Sequence, residues 1–341
     1  MNKKSVTIKD IANEAGVSTA TVSRVISGKT VPGNLTERKV LDAASSLGYV
    51  FKPKGHYSSK KVIIAVIHNK NVGYLDTVLD GVQQSAYELG YSVIVHILRN
   101  EDFDANYFIN LAIQFSASGI LFVSACVSSS IMKKIESRIP VVKCIDLQDE
   151  DEISCIGIDE REAGRKITSY LISTGRKRIA FMTRKLKGKV NILREEGYRE
   201  AMAANGLTVH PNWVSSIIQG ESGPSEIVDL NQVMFFINTL LNMDERPDAI
   251  VCIIDTDAAM VQKALLTLGI RVPEDMAVTG FYNLQLSRLL VPDLTSYETH
   301  AANIGFGAMK ILDERINNPS LPQTKIVTAA EIIIRGSTSV Y

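Results

Sequence analysis

The sequence predicts a small all-α head followed by a two-lobed α/β core of doubly wound parallel sheets. Three observations carry this. Two short helical patterns joined by a glycine turn stand near the amino terminus, and alternating strand and helix patterns fill the chain from Val62 onward. Charge divides at the same place: residues 1–61 hold eleven Lys/Arg against four Asp/Glu, and the remainder holds 26 against 33. The neutral total therefore hides a basic head on an acidic body.

In the head, Thr7 and Asp10 have capping-box spacing, with Asp in place of the usual Glu or Gln. Ile8, Ile11, Ala12 and Ala15 then form one apolar stripe at helical period. Gly16 suits the left-handed residue that ends a helix, and Val17 can pack the turn. Ser18 caps a second helix in which Val22, Val25 and Ile26 face inward and Gly28 closes the run. Its outward positions are Thr19, Ala20, Thr21, Ser23 and Arg24. An ordinary amphipathic helix pair would show the same stripes, but the small outward residues and the basic charge point to a helix-turn-helix DNA reader. Small side chains let a helix lie deep in the major groove. There hydroxyls reach phosphates or base edges, an alanine methyl meets a thymine methyl, and arginine forks onto guanine.

A third helix is expected over 37–47, with Val40, Leu41, Ala44 and Leu47 on one face and Gly48 as its stop. Residues 49–61 read as a basic linker, in which Lys52 and Lys54 can touch phosphates.

The core then reads as buried strands: VIIAVI (62–67), YSVIVHIL (91–98), GILFV (119–123), VVKCID (141–146), CIGID (155–159), RIAFMT (178–183), AIVCII (249–254) and MAVTGF (276–281). Helical segments separate most of them, notably 74–89, 163–174, 195–205 and 257–268. Continuously apolar strands alternating with helices mean parallel sheets covered on both faces. About 230 residues of such alternation exceed one comfortable core, so two lobes are expected. Trp213 and the run Met234, Phe235 and Phe236 read as packing residues.

At these residues a resemblance becomes specific. The string V-T-I-K-D-I-A-x-x-A-G-V-S-x-x-T-V-S-R-V-I (6–26) resembles the head of the lactose/galactose-repressor (LacI/GalR) family of bacterial transcription regulators. Further similar segments run through the body, among them GIDEREAG (157–164), REEGYREAMAANGL (194–207), LGIRVPEDMAVTGF (268–281) and IIIRGST (332–338). The resemblance implies that Thr19, Ala20 and Arg24 carry base readout, while Lys9, Ser18, Thr21 and Ser23 hold phosphates. It implies a helix-turn-helix domain at 1–49, a hinge at 50–61, and a periplasmic-binding-protein-like core at 62–341. Lobe 1 would hold about 62–160 and 295–325, and lobe 2 about 161–294 and 326–341, with crossings near 160, 294 and 325. It also implies a homodimer on a near-palindromic operator. The hinge departs from the family pattern: Pro53 and Gly55 disfavour a helix, and no leucine stands there to wedge into the minor groove.

The resemblance further implies a small-molecule effector between the lobes, with Tyr74, Leu75, Asp159, Lys189, Arg194, Asp255 and Tyr282 as candidate contacts. Tyr282 and Ile254 stand where the family carries polar groups that hold sugar hydroxyls. Arg194 and the segment with Arg184, Lys185, Lys187 and Lys189 add positive charge. That segment reads either as a solvated basic loop or as the receiver of a carboxylate or phosphate, such as a sugar acid or a phosphorylated metabolite.

Other classes fit less well. A ligand-binding protein of the transport type would share the core but needs neither a reading head nor a start without a signal peptide. An α/β enzyme would show a phosphate loop, a nucleophile elbow or a dinucleotide fingerprint, and none is written here. Four widely spaced cysteines, 126, 144, 155 and 252, read as buried free thiols, and the scattered histidines suggest no metal. The expectation is a cytoplasmic repressor, not an enzyme, without cofactor or membrane span. Its partners would be double-stranded DNA, a second copy, and an effector or protein co-regulator.

Overall fold

The computed structural model describes residues 6–26, 35–47, 61–68, 73–98, 103–123, 127–145, 147, 153–184, 189–217 and 230–339. The chain divides into two compact units, Met1–Lys60 and Lys61–Tyr341. Lys52, Lys54, the hinge and residues 185–188 lie outside the described residues, as do Gly28, Gly48 and Cys126.

The first unit contains helices α1 (Ile8–Ala15), α2 (Thr19–Ile26) and α3 (Leu35–Ser46). Both halves of the expected capping box are present: the Asp10 amide donates to Thr7 Oγ1, and the Thr7 amide donates to Asp10 Oδ2 at 2.8 Å. Gly16 takes φ 63° and ψ 37°, and the Val17 amide bonds back to the Ala12 carbonyl at 3.0 Å. This left-handed residue lets the chain reverse between α1 and α2 at no steric cost. Ile11, Ala12, Val22, Val25, Val40, Ala43 and Ala44 form a small closed core. α3 starts at Leu35, two residues before its expected start.

The second unit opens with β1 (Lys61–His68), α4 (Tyr74–Glu88), β2 (Tyr91–Leu98), α5 (Ala105–Phe115), β3 (Ala117–Val123), α6 (Ser129–Glu136), β4 (Val141–Ile145) and β5 (Ser154–Gly157). The chain then enters the second lobe with α7 (Glu160–Ser173), β6 (Ile179–Arg184), α8 (Lys189–Ala204), β7 (Val214–Ile217), α9 (Leu230–Leu241), β8 (Ala249–Cys252), α10 (Asp255–Thr267), β9 (Ala277–Phe281) and β10 (Thr295–Glu298). It returns through α11 (Ala301–Asn317) and β11 (Lys325–Val327), and ends with β12 (Glu331–Ile333).

Both lobes wind alike. The sheet orders are β11-β5-β4-β3-β1-β2 and β12-β10-β9-β8-β6-β7, and every pairing is parallel except β10 with β12. Each sheet therefore reverses its winding beside its first strand, between β1 and β3 and again between β6 and β8. Such switch points, at the carboxyl ends of strands, are where open α/β sheets form ligand crevices. α4 and α8 start at these two points.

Two helix pairs hold the covering layers. α4 crosses α11, where a Cβ on Gly81 would fall 1.9 Å from the Ala302 carbonyl oxygen. α7 crosses α8, where a Cβ on Gly197 would fall 1.9 Å from the Arg161 oxygen. Only glycine permits backbones to approach so closely.

Several expectations change. The crossing expected near 294 lies at 299–300, because β10 pairs with β9 in the second sheet while α11 covers the first. The others fall at 158–159 and 328–330, and the Thr328 amide bonds to the Gly157 carbonyl at 2.7 Å to tie them together. α8 begins at Lys189, so the second half of the basic segment is helix rather than loop. Short strands β7, β10 and β11 carry no long apolar run. Trp213 packs inside, its Nε1 donating to the Glu245 carbonyl at 3.2 Å. Phe236 is core, but Phe235 faces outward, 76% exposed. Cys144, Cys155 and Cys252 are buried and in no disulfide among the described residues. Among the described residues no helix is long and apolar enough to cross a membrane.

Candidate functional site

Two sites emerge, one in each unit. In the head, α2 turns Val22 and Val25 inward and leaves Thr19, Ala20, Ser23 and Arg24 exposed; Ser18 just before it and Lys9 in α1 are exposed too. Ser18 caps the helix, accepting from the Thr21 amide at 3.1 Å, and its hydroxyl also lies 2.9 Å from Thr21 Oγ1. Thr21 is half-buried. Burying one face of α2 so firmly presents the other, small residues and one arginine, on a rigid base.

In the core, the residues expected around an effector part into two groups. Tyr74 at the start of α4, Arg194 in α8 and Tyr282 after β9 come together where the carboxyl ends of the two sheets face each other. Arg194 is entirely buried. Its Nε donates to Glu160 Oε2 at 2.6 Å, and its Nη1 donates to the Ile253 carbonyl at 2.6 Å. Its guanidinium carbon lies 4.0 Å from the Phe281 ring centroid and 4.6 Å from that of Tyr282, a cation sandwiched between aromatic faces. Nη2 is buried without a hydrogen-bond partner. Burial opposes the charge, but the Glu160 carboxylate outweighs it and holds the pKa above its ordinary value. Glu160 is the first residue of α7, where the helix dipole favours a negative charge.

Tyr282 lies over Tyr74 with ring centroids 3.8 Å apart and planes at 27°. Burial, then the neighbouring Tyr282 and Glu160, push the Tyr74 phenol pKa up.

The remaining candidates are not brought into this cluster. Asp255 is fully buried and spends both oxygens internally: Oδ1 accepts from Ser296 Oγ at 2.7 Å, and Oδ2 accepts from the Leu284 amide at 2.7 Å and Ser287 Oγ at 2.6 Å. Burial pushes its pKa up to about 7 against these three donors and Arg335. It braces the loop that carries Tyr282. Asp159 caps α7 through the Glu162 amide at 2.9 Å, Leu75 sits in the core, and Lys189 is exposed at the start of α8.

Glu160 and Phe281 went unrecognised in the sequence. Phe281 stands next to Tyr282, so an aromatic pair at a strand's carboxyl end was the available signal. Glu160, one acid in a run of charged residues, gave none. The Arg194–Glu160 pair also changes the chemistry expected there, because the guanidinium already holds a carboxylate.

Known protein families match parts of both units. Residues 7–51 match the family described as bacterial regulatory proteins, lacI family, and residues 168–338 match the periplasmic binding protein-like domain. The chain is 30% identical to catabolite control protein A of Priestia megaterium, over 98% of this chain and 99% of that one. It is also 30% identical to the HTH-type transcriptional repressor PurR of Pasteurella multocida (strain Pm70), over 97% and 98%. In fold it resembles the lac repressor dimer bound to operator and the anti-inducer ONPF, with TM-score 0.70 and 21% identity over 99% of this chain and 100% of that one. It likewise resembles the transcriptional regulator CelR–cellobiose complex, with TM-score 0.69 and 24% identity over 97% and 99%. With a reading helix in one unit, a two-lobed cleft in the other and relatives matched end to end, the chain belongs to the LacI family of bacterial transcription regulators, which are DNA-binding proteins and not enzymes.

Proposed function

We propose that the protein represses transcription as a homodimer, each copy setting α2 into the major groove of one half of a near-palindromic operator. The observation that carries this is the divided face of α2: Val22 and Val25 anchored, Thr19, Ala20, Ser23 and Arg24 presented. Thr19, Ala20 and Arg24 read bases, Lys9, Ser18, Thr21 and Ser23 set register on phosphates, and Lys52 and Lys54 add phosphate contacts. Residues 1–49 form the reading domain and 50–61 the hinge, and the action takes place in the cytoplasm.

The interlobe cleft is the place for a small effector, with Tyr74, Arg194 and Tyr282 as its walls. An anionic ligand would have to displace Glu160 from Arg194, leaving a carboxylate buried beside it. A neutral ligand meets no such obstacle and can accept from Arg194 Nη2, so a neutral effector is the better supported reading. A protein co-regulator is the second reading, favoured by the degree to which the cleft's charges are already satisfied within the chain.

Footprinting and fluorescence anisotropy on the DNA upstream of the protein's own gene test the DNA reading. Arg24→Ala should weaken specific binding by about 1–3 kcal/mol at fixed salt, as loss of a bidentate guanine contact would. Unchanged operator affinity would show that α2 is not the reading helix.

A further inference from the structure

The cleft contains a continuous pile of flat groups that belongs entirely to the protein. Tyr74 comes from the first lobe, and Tyr282, the Arg194 guanidinium and Phe281 follow from the second, with separations of 3.8, 4.6 and 4.0 Å. Beside this pile Gly73, with φ 91°, brings the start of α4 against the Leu284 side chain, whose methyls would lie 3.6 Å from a Cβ there. Both lobes thus meet through the residues that flank the switch point of the first and the β9–β10 loop of the second.

The loop is built to aim Tyr282. Tyr282 and Asn283 both take positive φ, 88° and 48°, a backbone conformation that side-chain-bearing residues adopt only when the surroundings impose it. Three successive amides impose it: Tyr282 N–H donates to the Tyr297 carbonyl at 2.8 Å, Asn283 N–H to Ser296 Oγ at 2.9 Å, and Leu284 N–H to Asp255 Oδ2 at 2.7 Å. Asn283 is clamped again through its side chain, donating to Glu298 at 2.8 Å and accepting from Arg335 at 2.5 Å. Strain held in place so thoroughly, with the ring it directs lying on the opposite lobe, marks a working part rather than a turn.

We infer that Tyr282 is an interlobe latch: by stacking on Tyr74 over the Arg194–Glu160 pair it fills the cleft and holds the two lobes closed with no ligand present. The closed arrangement is then the resting state of the core, and an effector acts by prising Tyr282 from Tyr74. The inference uses the cleft as the regulatory site proposed above, but closure by the chain's own residues does not depend on which effector exists. A latch of this kind shifts an equilibrium only by the difference in contacts between the closed and open arrangements, which is the stacked ring pair.

Distances between the lobes test it in the full-length chain, free of DNA and small molecules. Spin labels go on Asp80→Cys in α4 and Lys166→Cys in α7, both exposed, with Cys126→Ser and with labelled chains diluted into unlabelled ones. The unsubstituted latch should give one narrow distance distribution. Tyr282→Ala should move the population toward longer, broader distances, changing the closed-to-open ratio about fivefold to tenfold. Tyr282→Phe, which keeps the ring, should stay narrow. Tyr74→Ala should reproduce the shift from the other lobe, and serves if Tyr282→Ala does not fold as judged by circular dichroism. A broad distribution in the parent, or the same narrow one in both alanine variants, would overturn the latch. A metabolite panel that finds no ligand would instead count against the effector reading and leave these distances as they are.

Discussion

The reading helix and the interlobe cleft satisfy opposite demands. α2 keeps Thr19, Ala20, Ser23 and Arg24 exposed, as a partner that is a polyanion outside the protein requires. The cleft gathers its functional groups in the dark, sets arginine against glutamate and aromatic faces, and leaves one guanidinium nitrogen unused. A surface reader needs rigidity beneath it, which the buried cluster around Ile11, Val22 and Val40 supplies. A switch needs two arrangements of nearly equal stability, which requires that its buried charges be satisfied inside the chain in at least one of them.

The contrast can be broken or sharpened in order of expected effect. Glu160→Ala leaves Arg194 buried without its carboxylate, and should cost about 3–5 kcal/mol in denaturant unfolding. Glu160→Gln, which keeps an acceptor, should cost less. A loss under 1 kcal/mol for Glu160→Ala would mean the cleft is wetter than its burial implies, and closer in kind to the head.

Asp255 sharpens the comparison through pH. Its folded pKa of about 7 lies above the ordinary value of 3.8, so the folded core holds the proton more tightly than the unfolded chain. Its contribution is complete at low pH and declines as pH rises from about 4 through 7. Between pH 5.5 and 8 the stability advantage over Asp255→Asn should shrink by about 2 kcal/mol, read from urea midpoints at each pH. A constant difference would show that the carboxyl stays ionised throughout, held by its three donors.

The smallest effect belongs to the head. Thr7→Ala removes half of the capping box and should cost the head about 1 kcal/mol, seen as earlier melting of that unit, with core stability unchanged.

How much of this was legible in the chain follows from how local each feature is. The capping box at Thr7 and Asp10, the left-handed Gly16 and the Ser18 cap connect residues three or four apart, so their spacing was enough to place α1, α2 and the face bearing Arg24. The long apolar strands were legible for the same reason. The short strands β7 and β10 were not, because four residues at a sheet's edge region carry too little pattern, and missing β10 displaced the second crossing. Phe235 reads as core from its apolar neighbours, although helical period turns it away from Phe236.

What the sequence determined by itself is the reader: a helix whose two faces are set by period and whose caps are set by adjacent residues. Only the tertiary structure decided the cleft. Glu160 meets Arg194 across 34 positions, Asp255 meets Ser296 across 41, and Tyr74 meets Tyr282 over a greater separation still. Those pairings depend on two sheets wound alike, with their carboxyl ends facing, and no spacing along the chain records which buried charge will find which partner.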